Sequence, residues 1–101
     1  VPRTRCHPRT CGHLLLAGLA ALLLAGCATL APVQEMSDAR QALRAAEEAG
    51  APLRVPGTYQ QSRRLLEQAE DNLSTGEFRQ ARRKANAARD LAIEARIRAG
   101  H

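Results

Sequence analysis

The chain reads as all-α, on three observations. Apolar residues recur by threes and fours along three stretches between residues 36 and 99, the spacing of one helix face rather than the alternation of a strand. Helix-stopping clusters, Gly50 with Pro52 and then Ser74-Thr75-Gly76, separate those stretches. The last stretch carries an almost unbroken seam of alanine in heptad spacing. Together they predict an antiparallel three-helix bundle, a helical hairpin plus one N-terminal helix, behind a targeting segment.

In the first helix, Met36, Ala39, Leu43 and Ala46 alternate by three and four, and Ala42 and Ala49 widen the face to core-facing breadth. Gly50 and Pro52 stop it. Residues 50–57, with Pro52, Pro56 and two glycines, read as a loop too short to separate two cores. The second helix opens between residues 56 and 59. Pro56 in the first turn and Thr58 as a cap with Gln61 three residues on are both compatible starts. Its stripe is Tyr59, Ser62, Leu66, Ala69 and Leu73, with Leu65 alongside. Gly76 is free to take the left-handed conformation that closes a helix, and Ser74 or Thr75 is placed to cap the next.

The third helix, about residues 77–99, carries Phe78, Ala81, Ala85, Ala88, Ala92, Ala95 and Ala99 on one seam. Small side chains let two axes approach toward the lower end of the usual range of about 8–10 Å. The tight turn at Gly76 makes the second helix its antiparallel neighbour. That register sets Leu73 near Phe78, Ala69 near Ala81, Leu66 near Ala85 and Tyr59 near Ala92. It brings Glu70 to Arg82 on one flank and Leu65 toward Leu91 on the other. Met36, Leu43 and Ala46 of the first helix then fill the remaining groove.

The N-terminus has the three parts of a secretory signal: Arg3, Arg5 and Arg9, an apolar run over 14–25, then small residues. Leu24-Ala25-Gly26-Cys27 resembles a bacterial lipobox, in which the cysteine thiol is alkylated with diacylglycerol before cleavage makes it the first mature residue. The implied organisation is a lipoprotein signal peptide over 1–26, the lipidated cysteine and tether over 27–32, and a helical domain over 33–101. The apolar run would reach about 18 Å as a helix, short against a hydrocarbon core of about 30 Å. An uncleaved membrane anchor is the competing reading, since no charge falls between Arg9 and Glu35. Gly18, Gly26, Thr29 and Pro32 dilute that stretch, and both readings put the helical domain outside the cytoplasm. Two or more acyl chains, palmitate among them, hold such a protein on the membrane essentially permanently. Ala28, in place of aspartate, resembles lipoproteins sent to the outer membrane, with the domain facing the periplasm.

Cys6 and Cys11 leave with the leader and the Cys27 thioether cannot form a disulfide, so the mature domain is no disulfide scaffold. Cys6, His7, Cys11 and His13 lie in the targeting segment and carry no metal-site reading. The chain has formal net charge +5. Without Arg3, Arg5 and Arg9, however, its fifteen basic residues fall to twelve against ten acids. That balance, with only Tyr59 and Phe78 as aromatics, argues against nucleic-acid binding.

No catalytic constellation, phosphate-cradling loop or metal spacing is present, so no enzyme activity, cofactor or small-molecule substrate is expected. Glu47-Glu48 and Glu70-Asp71 read as solvated acids with local pairs such as Arg44 with Glu48. The expected contact strip is on the third helix, where Arg82, Arg89 and Arg96 recur every seven residues and Ile93 and Ile97 project onto the adjoining outer face. The alternative account is that the arginines pair with acids of neighbouring helices, as Glu70 with Arg82, and that the isoleucines cover a helix end. Arg79, Arg83 and Lys84 form a second basic group, read as a solvated face.

The order Met36-Ser37-Asp38-Ala39-Arg40-Gln41-Ala42, Ala46-Glu47-Glu48-Ala49-Gly50-Ala51, Pro56 with Tyr59, Leu65-Leu66, Ala69, Leu73, Gly76, Phe78, Ala81-Arg82, Ala85 and Ala88 resembles a known family. This is the small alanine-rich periplasmic lipoprotein domain of unknown function that in some relatives precedes an OmpA-like domain. The resemblance covers about residues 33–98. It departs at Ser62, where the family has alanine, and at Pro52-Leu53-Arg54 in the loop. Direct peptidoglycan binding belongs to the OmpA-like domain and is not carried over. The run from Leu73 to Ala88 also looks like one tetratricopeptide turn, but such arrays need about three units and no second copy is found. The function expected is a membrane-anchored, non-catalytic helical scaffold or protein-interaction module whose partner is another helical protein or a second copy. The alternative is a polyanion-contacting module that sets the arginine strip on peptidoglycan or lipopolysaccharide.

Overall fold

The computed structural model describes residues 12–20 and 30–100, which are helical with short connections and contain no strand. Residues 12–20 form helix α1, which belongs to a unit of its own over 1–30. The second unit, Ala31–His101, holds α2 (Val33–Glu48), α3 (Ala51–Arg54), α4 (Pro56–Ser74) and α5 (Phe78–Ala99). Among the described residues no helix is long and apolar enough to cross a membrane.

Helix α5 is the centre of the second unit and packs against both α2 and α4. Its buried face is Ala81, Ala85, Ala88, Ala92, Ala95 and Ala99, all fully covered. Against it lie Met36, Ala39, Leu43 and Ala46 of α2 and Tyr59, Ser62, Leu66 and Ala69 of α4, the stripes expected from spacing except at the turn, where Leu73 and Phe78 are only half-buried and stand outside the core. Large residues thus face small ones. The closeness of α4 to α5 is visible at Ser62, whose short side chain crosses the interface to donate to the Ala88 carbonyl at 2.6 Å. That bond fixes an antiparallel register in which residues 62 and 88 oppose each other, within one residue of the alignment read from the alanine seam. It also gives the fully buried Ser62 hydroxyl a partner, as a dry interface requires.

Helix α2 runs parallel to α5. Glu35 in its first turn pairs with Arg82 at 3.2 Å, and Arg54, just beyond its far end, donates to the Ala99 carbonyl at 2.7 Å. Arg54 therefore closes the C-terminus of α5, where open carbonyls and the helix dipole favour a cation. Tyr59 ties α4 to α2 by donating to Glu47 Oε1 at 2.6 Å. Burial, followed by that hydrogen bond and the Glu47 charge, raises the Tyr59 phenol above its ordinary pKa.

The connections differ in part from expectation. Residues 50–57 are not a plain loop: Gly50, at φ +85°, accepts from Leu53 and Arg54 through its carbonyl and starts the one-turn helix α3. Pro56 occupies the first turn of α4 and Thr58 is inside it, accepting from Arg98, so the Thr58 capping box does not form. At the far end of α4, Gly76 sits at φ +79°. Its N–H reaches the Leu73 carbonyl at 3.2 Å and the Glu77 N–H reaches the Asn72 carbonyl at 2.8 Å. This paired closure is the Schellman arrangement. Ser74 and Thr75 do not cap α5. Their hydroxyls turn back to the carbonyls of Asp71 and Asn72, and Glu77 precedes α5 with no side-chain capping bond.

Candidate functional site

Helix α5 has 22 residues and seven Lys or Arg against two acids, and local pairing occupies both acids. Asp90 accepts from Arg89 at 3.0 Å, and Glu94 lies 3.7 Å from Arg98. The outer surface of the helix therefore keeps its positive charge. Ile93 and Ile97 stand on that surface one turn apart, 43% and 55% exposed, while the core closes without them.

The structure divides the expected strip. Arg82 is turned toward α2 and engaged by Glu35, Arg89 is held by its neighbour Asp90, and Arg96 is exposed in the last turn. The pairing of Arg82 with Glu70 is corrected: Glu70 binds Arg40 of α2 at 3.3 Å. The reason is geometric. Glu70 and Arg82 both sit on the flank where α2 packs, and α2 carries its own Arg40 and Glu35 to meet them. Arg44 is likewise not paired with Glu48. It lines the groove between α2 and α4. Cys27 lies outside the described residues.

Sequence reasoning set Arg79 and Arg83 aside. Both are exposed on the outer surface of α5, in its first two turns, where the positive end of the dipole disfavours cations. The available signal was the absence of any acid in that turn.

The groove between α2 and α4 encloses about 320 Å³ over a floor of Leu43 and Leu66. Its walls carry three arginines, Arg40, Arg44 and Arg63, and three glutamates, Glu47, Glu67 and Glu70. Arg40 pairs with Glu70 and Arg63 with Glu67, so the walls largely neutralise each other. The arrangement closes a sparse helix contact and presents no net charge to a ligand. Among the described residues no group of three His, Cys, Asp or Glu could hold a metal ion.

The chain matches no family model, and neither a curated protein nor a solved structure is similar to it.

Proposed function

We propose that this is a cell-envelope lipoprotein, anchored through acyl chains on Cys27, whose domain over 33–101 is a non-catalytic helical scaffold or interaction module. In this reading the domain is an antiparallel three-helix bundle of α2, α4 and α5, with the single turn α3 set into one connection. The order of motifs shared with alanine-rich periplasmic lipoprotein domains belongs to the same proposal, as does a place on the outer membrane facing the periplasm.

The observation that carries it is the pair Ile93 and Ile97, apolar and exposed on the charged surface of α5 although the core is complete without them. Isolated surface apolar residues are ordinary, whereas two on one helix face beside a row of cations form a small contact surface. Together with Arg89 and Arg96 they define where the module meets its partner.

A photo-crosslinking residue in place of Ile97, in intact envelopes, tests this. A discrete adduct is expected, and Ile93→Asp should abolish it. Unchanged crosslinks after Ile93→Asp would refute the contact surface, and a mass showing an unacylated leader on purified protein would refute the anchor. A second reading, contact with an anionic envelope polymer, is favoured by the charge of α5 and would show as binding that falls steeply with salt.

A further inference from the structure

We infer that the first partner of the α5 outer face is the anionic lipid surface of the bilayer that holds the anchor. The inference rests on lipidation at Cys27 and names what the exposed face meets. Four residues, 28–31, separate that cysteine from Pro32, a reach of about 14 Å. The domain is therefore confined close to the headgroups. Confinement makes docking an intramolecular event, so a contact too weak to recruit a free protein is enough.

The parallel course of α2 and α5 decides which part of the domain lies at the tethered end. Glu35 of α2 binds Arg82 there, which places the opening turns of α5 beside the start of α2. Those turns carry Arg79 and Arg83, both exposed. The nearby Glu77 carboxylate is drawn to Asn72, whose amide donates to it at 2.6 Å. Cations at the positive end of a helix dipole repel it. A phosphate placed against them relieves both charges at once. Further along the same outer face come Ile93 and Ile97, with exposed Arg96 on the adjoining flank and the acids Asp90 and Glu94 paired to Arg89 and Arg98. A helix of 22 residues, about 33 Å long, thus presents cations in its opening turns and an apolar pair bordered by Arg96 toward its far end. A surface of this kind fits the headgroup region, where cations meet phosphates and short aliphatic chains enter the acyl boundary. The groove between α2 and α4 has the opposite character and faces away from this contact.

The test uses the full lipidated chain reconstituted in vesicles. After processing, the chain has no free thiol, so Ile97→Cys accepts a nitroxide label uniquely, and Gln60→Cys on the exposed surface of α4 provides the control. Vesicles of phosphatidylcholine alone are compared with vesicles containing phosphatidylglycerol. The label at 97 should shift from access by an aqueous nickel relaxant to access by oxygen in the anionic vesicles only. The label at 60 should stay aqueous in both. Replacing Arg79, Arg83 and Arg96 by glutamine should lower the docking equilibrium constant about fivefold per charge, on the order of a hundredfold together. Added salt should act in the same direction.

A label at 97 that stays as aqueous as the one at 60, on protein whose mass shows acylated Cys27, overturns the lipid contact and leaves the anchor standing. Equal protection in neutral vesicles, untouched by the arginine replacements, overturns it in favour of a second copy of the chain. A mass showing the intact leader removes the anchor, and this inference with it.

Discussion

Replacing Ala88 by leucine tests the packing on which the domain depends. Ala88 is fully buried on the face of α5 that meets α4, and the Ser62 hydroxyl lies 2.6 Å from its carbonyl. An isopropyl group added at a position with no solvent exposure must push the two axes apart or leave its preferred rotamer. Overpacking of this kind costs about 1–3 kcal/mol, and losing the Ser62 bond adds about 1 kcal/mol. The expected total is about 2–4 kcal/mol, a large part of the stability of a domain this size. At about 4–8 °C per kcal/mol the melting midpoint should fall by roughly 10 °C or more. Helix unfolding followed by circular dichroism, by heat and by urea, on the detergent-solubilised chain reads the change directly. Gln80→Leu, exposed on the same helix, should stay within about 0.5 kcal/mol of the parent. If Ala88→Leu unfolds within that same margin, the two helices are not in close contact and the alanine seam does not organise the core.

Three further outcomes follow from the geometry. Gly76→Ala should destabilise by about 1–2 kcal/mol because of its φ of +79°, whereas Gly57→Ala, inside α4 with open space around it, should stabilise by about 0.5–1 kcal/mol. Equal effects in urea melts would refute the assignment of the turn. The raised Tyr59 phenol binds its proton more tightly in the folded state than in the unfolded one. Its contribution is therefore complete below pH 10 and is lost as pH rises through the folded pKa. Tyr59→Phe should flatten that alkaline loss, as stability measured between pH 8 and 11 would reveal. A double-mutant cycle on Glu35 and Arg82, both about a third exposed, should give a coupling of about 0.5–1 kcal/mol. The same cycle on the more exposed Arg40 and Glu70 should give less, and salt titration of both cycles would check the order.

Much of the domain is legible along the chain because its helices are amphipathic in the simplest way. The stripe of each of α2, α4 and α5 is set by side-chain volume at helical spacing, and a seam of alanine tolerates few registers. The alignment of residue 62 with residue 88 follows from the glycine turn and that seam. The ends of helices were less legible. Hydroxyls at 74 and 75 had two sets of backbone groups within reach, and they chose the carbonyls behind them over the amides ahead. Residues 50–57 looked like a loop because proline and glycine dominate them, yet one carbonyl, that of Gly50, was enough to organise a turn of helix.

Composition and order alone determined that this chain is helical, which faces are apolar, and that a cysteine follows an apolar run in a lipobox-like setting. These are local properties, fixed by spacing within one or two turns. Only the tertiary structure decided which charges meet. Glu35 took Arg82, Arg40 took Glu70, and Arg54 closed the end of α5, because each pair spans two elements and depends on the side of the α4 and α5 pair that α2 occupies. It also decided which cations on α5 remain exposed, since pairing between helices and within them removes some and leaves others. Long charged side chains reach several partners with nearly equal energy, and packing of the apolar faces makes the choice before electrostatics does.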